Sequence, residues 1–96
     1  METPYNLPDY NIEAVNIVVN YIKEHLDKSD GDIDFQVYVV WQCCILGSRK
    51  WLISSTLPDG MYYEVTYDDR KGFYYFDAYR KWENRSIPVH QIRPTT

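Results

Sequence analysis

The residues in this sequence that could act as nucleophiles are two adjacent cysteines, Cys43 and Cys44. A catalytic thiolate needs a histidine base and an orienting acid within hydrogen-bond distance. The two histidines, His25 and His90, lie far from the cysteines in the chain, and the four residues have no zinc-ligand spacing. We therefore predict no catalytic residue, no metal site and no cofactor. The cysteines are interpreted as reduced strand residues, one of them packed inward.

An acidic segment, residues 27–34, places carboxylates at alternate positions and superficially resembles a calcium-binding loop. A calcium loop that began at Asp30 would need a glycine at its sixth position and a glutamate at its twelfth. This chain has Phe35 and Trp41 at those positions. The segment is therefore predicted to be a solvated connection between a helix and a strand.

Three further carboxylates, Glu64, Asp77 and Glu83, lie in the aromatic second half of the chain. A carboxylate pair across a hairpin would suit acid–base catalysis. An ion pair between Glu64 and Arg80 or Lys81 is the simpler interpretation and the one we favour. The sequence therefore gives no reason to expect an enzyme.

The spacing of apolar residues predicts an amphipathic helix over residues 11–28. The apolar positions recur every three or four residues, at Ile12, Val15, Val18, Val19, Ile22 and Leu26. Asn11 is the expected N-cap, and turn residues at 29–31 should end the helix. Residues 1–10 contain two prolines and are predicted to form an extended arm.

Strand-forming segments follow, and they predict an antiparallel sheet over residues 34–82. The first strand is expected to be central, with Val37, Val39, Trp41 and Cys43 on one face. Asp68–Gly72 is expected as a five-residue loop before the last strand. Residues 83–96 contain two prolines and are predicted to be an irregular tail.

Together these elements predict a single α+β domain with a cystatin-like layout. An N-terminal amphipathic helix packs on a curved antiparallel meander sheet of about four strands. One helix cannot cover all of the aromatic side chains, which make up 17% of the residues. Tyr62, Tyr74 and Trp82 are predicted to face away from the helix and to bind a protein partner. They alternate with the residues expected to face the helix: Tyr63, Val65 and Tyr75.

The charge and hydropathy of the chain exclude several classes of partner. The 96 residues have a net charge of −4, and the basic residues are scattered, so binding to nucleic acid is not expected. No apolar run is long enough for a membrane span, and the N-terminus lacks the features of a secretory signal. A cytoplasmic location is therefore predicted.

The strings VYVVW, ISSTLPDGMYYEVTYD and DAYRKWEN, between Val37 and Asn84, resemble a family of small uncharacterised proteins. Members of that family are encoded by bacteriophages and prophages of Gram-positive bacteria, and they have no assigned activity. The resemblance implies a genetic context and a site of action in the host cytoplasm. It assigns no role to any residue.

The leading hypothesis is therefore a small phage-encoded interaction protein. It would bind a host or phage protein through an aromatic sheet face or an exposed edge strand. Burial in the core, or in a homodimer, is the alternative explanation for the same aromatics. Two other hypotheses are a ligand-binding or enzymatic pocket between helix and sheet, and an acidic inhibitor of a host nucleic-acid-binding system.

Overall fold

The computed structural model describes residues 9–26 and 33–94, and it confirms the predicted α+β class. The elements in chain order are α1 (Tyr10–His25), β1 (Val37–Ile45), β2 (Ser48–Ser55), β3 (Met61–Asp68), β4 (Phe73–Arg80) and α2 (Val89–Ile92). The strands form one antiparallel meander in the order β1-β2-β3-β4, and α1 packs against one side of it. The predicted arm up to residue 8 and the turn at residues 27–32 lie outside the described residues.

The helix begins one residue earlier than predicted, because Asp9 and not Asn11 is the N-cap. The Asp9 carboxylate accepts hydrogen bonds from the backbone N–H groups of Asn11 at 3.0 Å and Ile12 at 3.2 Å. The Asn11 side chain has a different role. Its Oδ1 accepts a hydrogen bond of 2.8 Å from the indole Nε1 of Trp51 in the middle of the sheet.

The hydrogen bond between Asn11 and Trp51 predicts a measurable loss of stability in Asn11→Ala. Trp51 is almost fully buried, so its indole N–H would lose its partner in a site with little access to water. We expect the free energy of unfolding to fall by about 1–2 kcal/mol, measured by urea denaturation. Asn16→Ala, at an exposed position of the same helix, is the control and should lose nothing. Equal urea midpoints for the two variants would contradict this role of Asn11.

The core is the layer between α1 and the two central strands. Its buried apolar side chains are Ala14, Val18, Ile22, Trp51, Ile53, Tyr63 and Val65. The three helix residues recur at a spacing of four, and the sheet residues alternate along β2 and β3. Val18 and Ile22 belong to the predicted apolar stripe, whereas Ala14 was not part of it and Ile12, which was, is 56% exposed.

Strand β1 differs from its prediction, because it lies at the edge of the sheet and contains a bulge. Val39 pairs with Ile53, but the next pair is Trp41 with Leu52, so Val40 is the extra residue. The bulge reverses the alternation. Val37 and Val39 lie on the helix side of the sheet, whereas Trp41 lies on the other side.

The edge position of β1 also explains why both cysteines are exposed. Cys43 pairs with Lys50 and Cys44 with Arg49 at the end of β1, where neither side chain reaches the core. Both are exposed free thiols, so the expectation that one is packed inward is wrong.

The connection between β3 and β4 has four residues and not the predicted five, because Asp68 pairs with Phe73. The Asp68 side chain accepts hydrogen bonds from the backbone N–H groups of Arg70 and Lys71, at 3.1 and 3.4 Å. Gly72, at a φ of 69°, donates its N–H to the Asp68 carbonyl at 2.8 Å. A loop shorter by one residue exchanges the two faces of β4.

Candidate functional site

The side of the sheet opposite α1 is not covered by any described element, and we call it the open face. Strand pairing defines its members, because directly paired residues share one face. Its large apolar and aromatic side chains are between 37% and 64% exposed, at Tyr38, Trp41, Ile45, Tyr62, Phe73, Tyr75 and Tyr79. Strands β1, β3 and β4 contribute these side chains, whereas β2 contributes Ser48, Lys50, Leu52 and Ser54 to the same face.

Aromatic residues dominate one end of the open face. Tyr62 and Tyr79 lie opposite each other on β3 and β4, and their rings stack with centroids 5.1 Å apart and planes 14° apart. Tyr38 belongs to the same row, because Ser54 on β2 pairs with both Tyr38 and Tyr62. The row therefore offers three exposed tyrosine rings, two of them stacked on each other.

Charged groups lie in the middle of the open face. Lys50 on β2 forms an ion pair with Glu64 on β3, and its hydrogen bond to that carboxylate raises the pKa of Lys50 above its ordinary value. The predicted partners of Glu64 were Arg80 or Lys81, and this expectation is wrong because Arg80 pairs with Met61 at the end of β4. Lys50 lies on the same face as Glu64 and reaches it instead.

Two of the three carboxylates considered for acid–base chemistry are brought together. Asp77 on β4 lies directly opposite Glu64, and its charge raises the pKa of the Tyr79 hydroxyl. Glu83 lies beyond the sheet and pairs with Arg85 at 2.9 Å. Within residues 9–26 and 33–94, Asp77 forms no ion pair. The middle of the open face thus has a surplus of negative charge.

Tyr74 lies on the helix side, so its predicted orientation away from the helix is wrong. Its hydroxyl donates a hydrogen bond of 2.9 Å to Glu13 on α1, and its ring lies against Tyr67 and Trp51. Burial, followed by the hydrogen bond to Glu13, raises the pKa of Tyr74 above its ordinary value. The four-residue loop places Tyr75, not Tyr74, on the open face.

The other two predicted binding residues are exposed. Tyr62 lies on the open face, as expected, and Trp82 lies beyond the end of β4 with 98% of its surface exposed. The prediction omitted Trp41, Tyr75 and Tyr79. Their exposure follows from the bulge in β1 and from the length of the β3–β4 loop.

The concave spaces among the described residues are open to solvent. One of about 220 Å³ lies at the C-terminal end of α1, between Tyr21, His25 and Met61. Another of about 270 Å³ lies beside Cys43 and Trp51. Both are below the roughly 300–1,000 Å³ of typical small-molecule pockets. A third, of about 430 Å³, is within that range. It borders the turn before β3 and is lined in part by Ser54 and Tyr62 of the open face.

The family model of DUF6275, a family of unknown function, matches residues 11–89. The chain belongs to the DUF6275 family. No curated protein and no solved structure matches it. The DUF6275 match spans all four strands and therefore the whole open face, and it continues past Trp82 to the first residue of α2.

Two further findings concern the described part of this DUF6275 chain. It contains no group of three or more histidine, cysteine, aspartate or glutamate residues placed to hold a metal ion. It also contains no helix with the length and hydropathy needed to cross a membrane.

Proposed function

We propose that this chain is a small interaction protein that binds another protein through the open face. The observation that supports the proposal is the set of seven large apolar and aromatic side chains left uncovered on one side of the sheet. Large exposed apolar surfaces on soluble proteins are usually interaction sites. We further propose that the chain is encoded by a phage or prophage of a Gram-positive bacterium and acts on a host or phage protein in the host cytoplasm.

The composition of the open face suits a protein partner. Tyrosine and tryptophan give a large contact area and a polar tip, and they lose little side-chain entropy on binding. The aromatic row at Tyr62 and Tyr79 would supply the anchors. The charged middle around Glu64 and Asp77 would supply specificity, because a partner must present basic or hydrogen-bonding groups there.

The same charges disfavour nucleic acid as the ligand. Exposed aromatics on a sheet can stack on single-stranded bases, but such sheets also need basic groups to track the phosphates. The open face has a single lysine, Lys50, and Glu64 neutralises it. The pocket hypothesis and the acidic-inhibitor hypothesis stay predictions.

The test is affinity capture from a lysate of a Gram-positive host, followed by binding measurements with the purified partner. The triple variant Tyr62→Ala, Tyr75→Ala, Tyr79→Ala removes three rings from the open face. We expect it to bind the partner at least about 100-fold more weakly, because each interface anchor contributes roughly 2 kcal/mol. Circular dichroism checks that the variant stays folded.

A matched control removes three side chains on the solvent side of α1: Asn20→Ala, Lys23→Ala, Glu24→Ala. This variant should bind like the wild type. Loss of the partner in the helix variant and its retention in the open-face variant would place the binding surface on the helix and contradict the proposal.

A further inference from the structure

A second uncovered apolar surface follows β4, and we call residues 81–94 the tail. Its apolar side chains are exposed by 98% at Trp82, 56% at Ile87, 54% at Val89 and 67% at Ile92. A solvated linker would be expected to have polar residues at such positions. Among the described residues, both the tail and the open face are therefore unpartnered apolar surfaces.

The two surfaces have opposite charge. From Arg80 to the end of the tail there are four basic side chains, Arg80, Lys81, Arg85 and Arg93, against one carboxylate, Glu83. The chain as a whole has a net charge of −4, so the remainder is strongly acidic. The open face belongs to that remainder, and its carboxylates Asp68 and Asp77 form no ion pair within the described residues. The basic tail and the acidic open face are thus electrostatically complementary.

The tail does not lie on the open face of its own chain. The backbone N–H of Lys81 donates a hydrogen bond of 2.7 Å to the Gly60 carbonyl, which fixes the direction in which the chain leaves the sheet. The next residue is Trp82, whose ring touches almost nothing. The tail therefore leaves at the end of the sheet, where a second molecule can receive it.

The tail is long enough to cross the open face of another molecule. The nine residue steps from Arg80 to Val89, before α2, reach up to about 30 Å when extended. Each strand occupies about 4.8 Å in the direction of the hydrogen bonds, so the four-stranded sheet is roughly 19 Å wide. One tail can therefore span the aromatic row and the charged middle together.

We propose that the tail of each chain lies across the open face of a second copy, in a reciprocal two-fold exchange. Such an interface is self-complementary, so it closes at a dimer and leaves no surface free to propagate. The inference rests on the proposed function, since it takes the open face to be a binding surface and names the occupant that a partner must displace.

The test uses two full-length variants and sedimentation velocity over a range of concentrations. The tail variant is Trp82→Ser, Ile87→Ser, Val89→Ser, and the face variant is Tyr62→Ala, Tyr75→Ala, Tyr79→Ala. The wild type should be a dimer that dissociates on dilution, and the dissociation constant of each variant should rise at least 100-fold. An equimolar mixture of the two variants should recover heterodimer, because one intact tail then meets one intact open face.

Three results would overturn the exchange. A wild type that stays monomeric at every concentration excludes the dimer, and with it any exchange. A tail variant that dimerises like the wild type indicates contact between two open faces, and a face variant that does so indicates contact between two tails.

The outcome is separable from that of the proposed function. The tail variant keeps its open face free, so it should capture the partner at least as well as the wild type. If capture of the partner depends on the open face but the wild type is monomeric, the proposed function is supported and the exchange is refuted. If the wild type dimerises through the tail and the open face, but no captured partner depends on the open face, the exchange is supported and the proposed function is refuted.

Discussion

Trp51→Ala should lower the free energy of unfolding by about 3–5 kcal/mol, the usual cost of removing a large aromatic side chain from a core. Trp51 is 1% exposed at the centre of β2, where α1 covers it. Small domains have about 5–15 kcal/mol of stability in total. The variant should therefore unfold at a much lower urea concentration, and a substantial fraction should be unfolded without denaturant at 37 °C.

Trp82→Ala is the matched control, because the same substitution there removes a ring that is 98% exposed. Its stability should stay within about 0.5 kcal/mol of the wild type. Far-UV circular dichroism is the suitable probe, since both substitutions alter tryptophan fluorescence directly. The measurement is made at a concentration where wild type and variants are monomeric. If Trp82→Ala instead lowered the free energy of unfolding by several kcal/mol under these conditions, the tail would pack on its own chain.

The parts of the fold that the sequence predicts are those that depend on periodicity. Ala14, Val18 and Ile22 recur at helical spacing, and Trp51 and Ile53 lie two residues apart, on one face of β2. The pattern thus indicates which face each element buries. The turn residues Pro58 and Gly60 mark the reversal between β2 and β3, and Gly60 has the positive φ of 70° expected there.

The sequence pattern does not show which strands lie at the edge of the sheet and which lie at its centre. β1 is apolar on both faces, which is typical of a central strand buried on both sides. An edge strand that contributes to a protein-binding face has the same composition. Trp41 and Val40 therefore look like core residues in the sequence, and only the pairing with β2 shows that they are exposed.

The candidate site depends on two local irregularities that no periodic pattern contains. The bulge at Val40 moves Trp41 to the open face, and the inclusion of Asp68 in β3 moves Tyr75 there. Each is a shift of one residue, and in a strand a shift of one residue reverses every side chain beyond it. The sequence thus predicts an aromatic binding face but assigns Tyr74 to it wrongly.

The neighbours Tyr74 and Tyr75 should respond in opposite ways to alanine substitution. Tyr74 packs against Trp51 and donates a hydrogen bond to Glu13, so Tyr74→Ala removes ring contacts in the core and the link to α1. We expect its free energy of unfolding, measured by urea denaturation, to fall by about 2 kcal/mol. Its binding through the open face should be unchanged in the folded fraction.

Tyr75→Ala is the control for stability and the test for binding, because the ring it removes lies on the open face and is 46% exposed. Its urea midpoint should stay close to that of the wild type, within about 0.5 kcal/mol. Its dimer and its captured partner should both be weakened, since both are proposed to use that face. If instead Tyr75→Ala were the unstable variant and Tyr74→Ala the binding-deficient one, β4 would have the register of a five-residue loop. Tyr74 would then lie on the open face, as the sequence predicts.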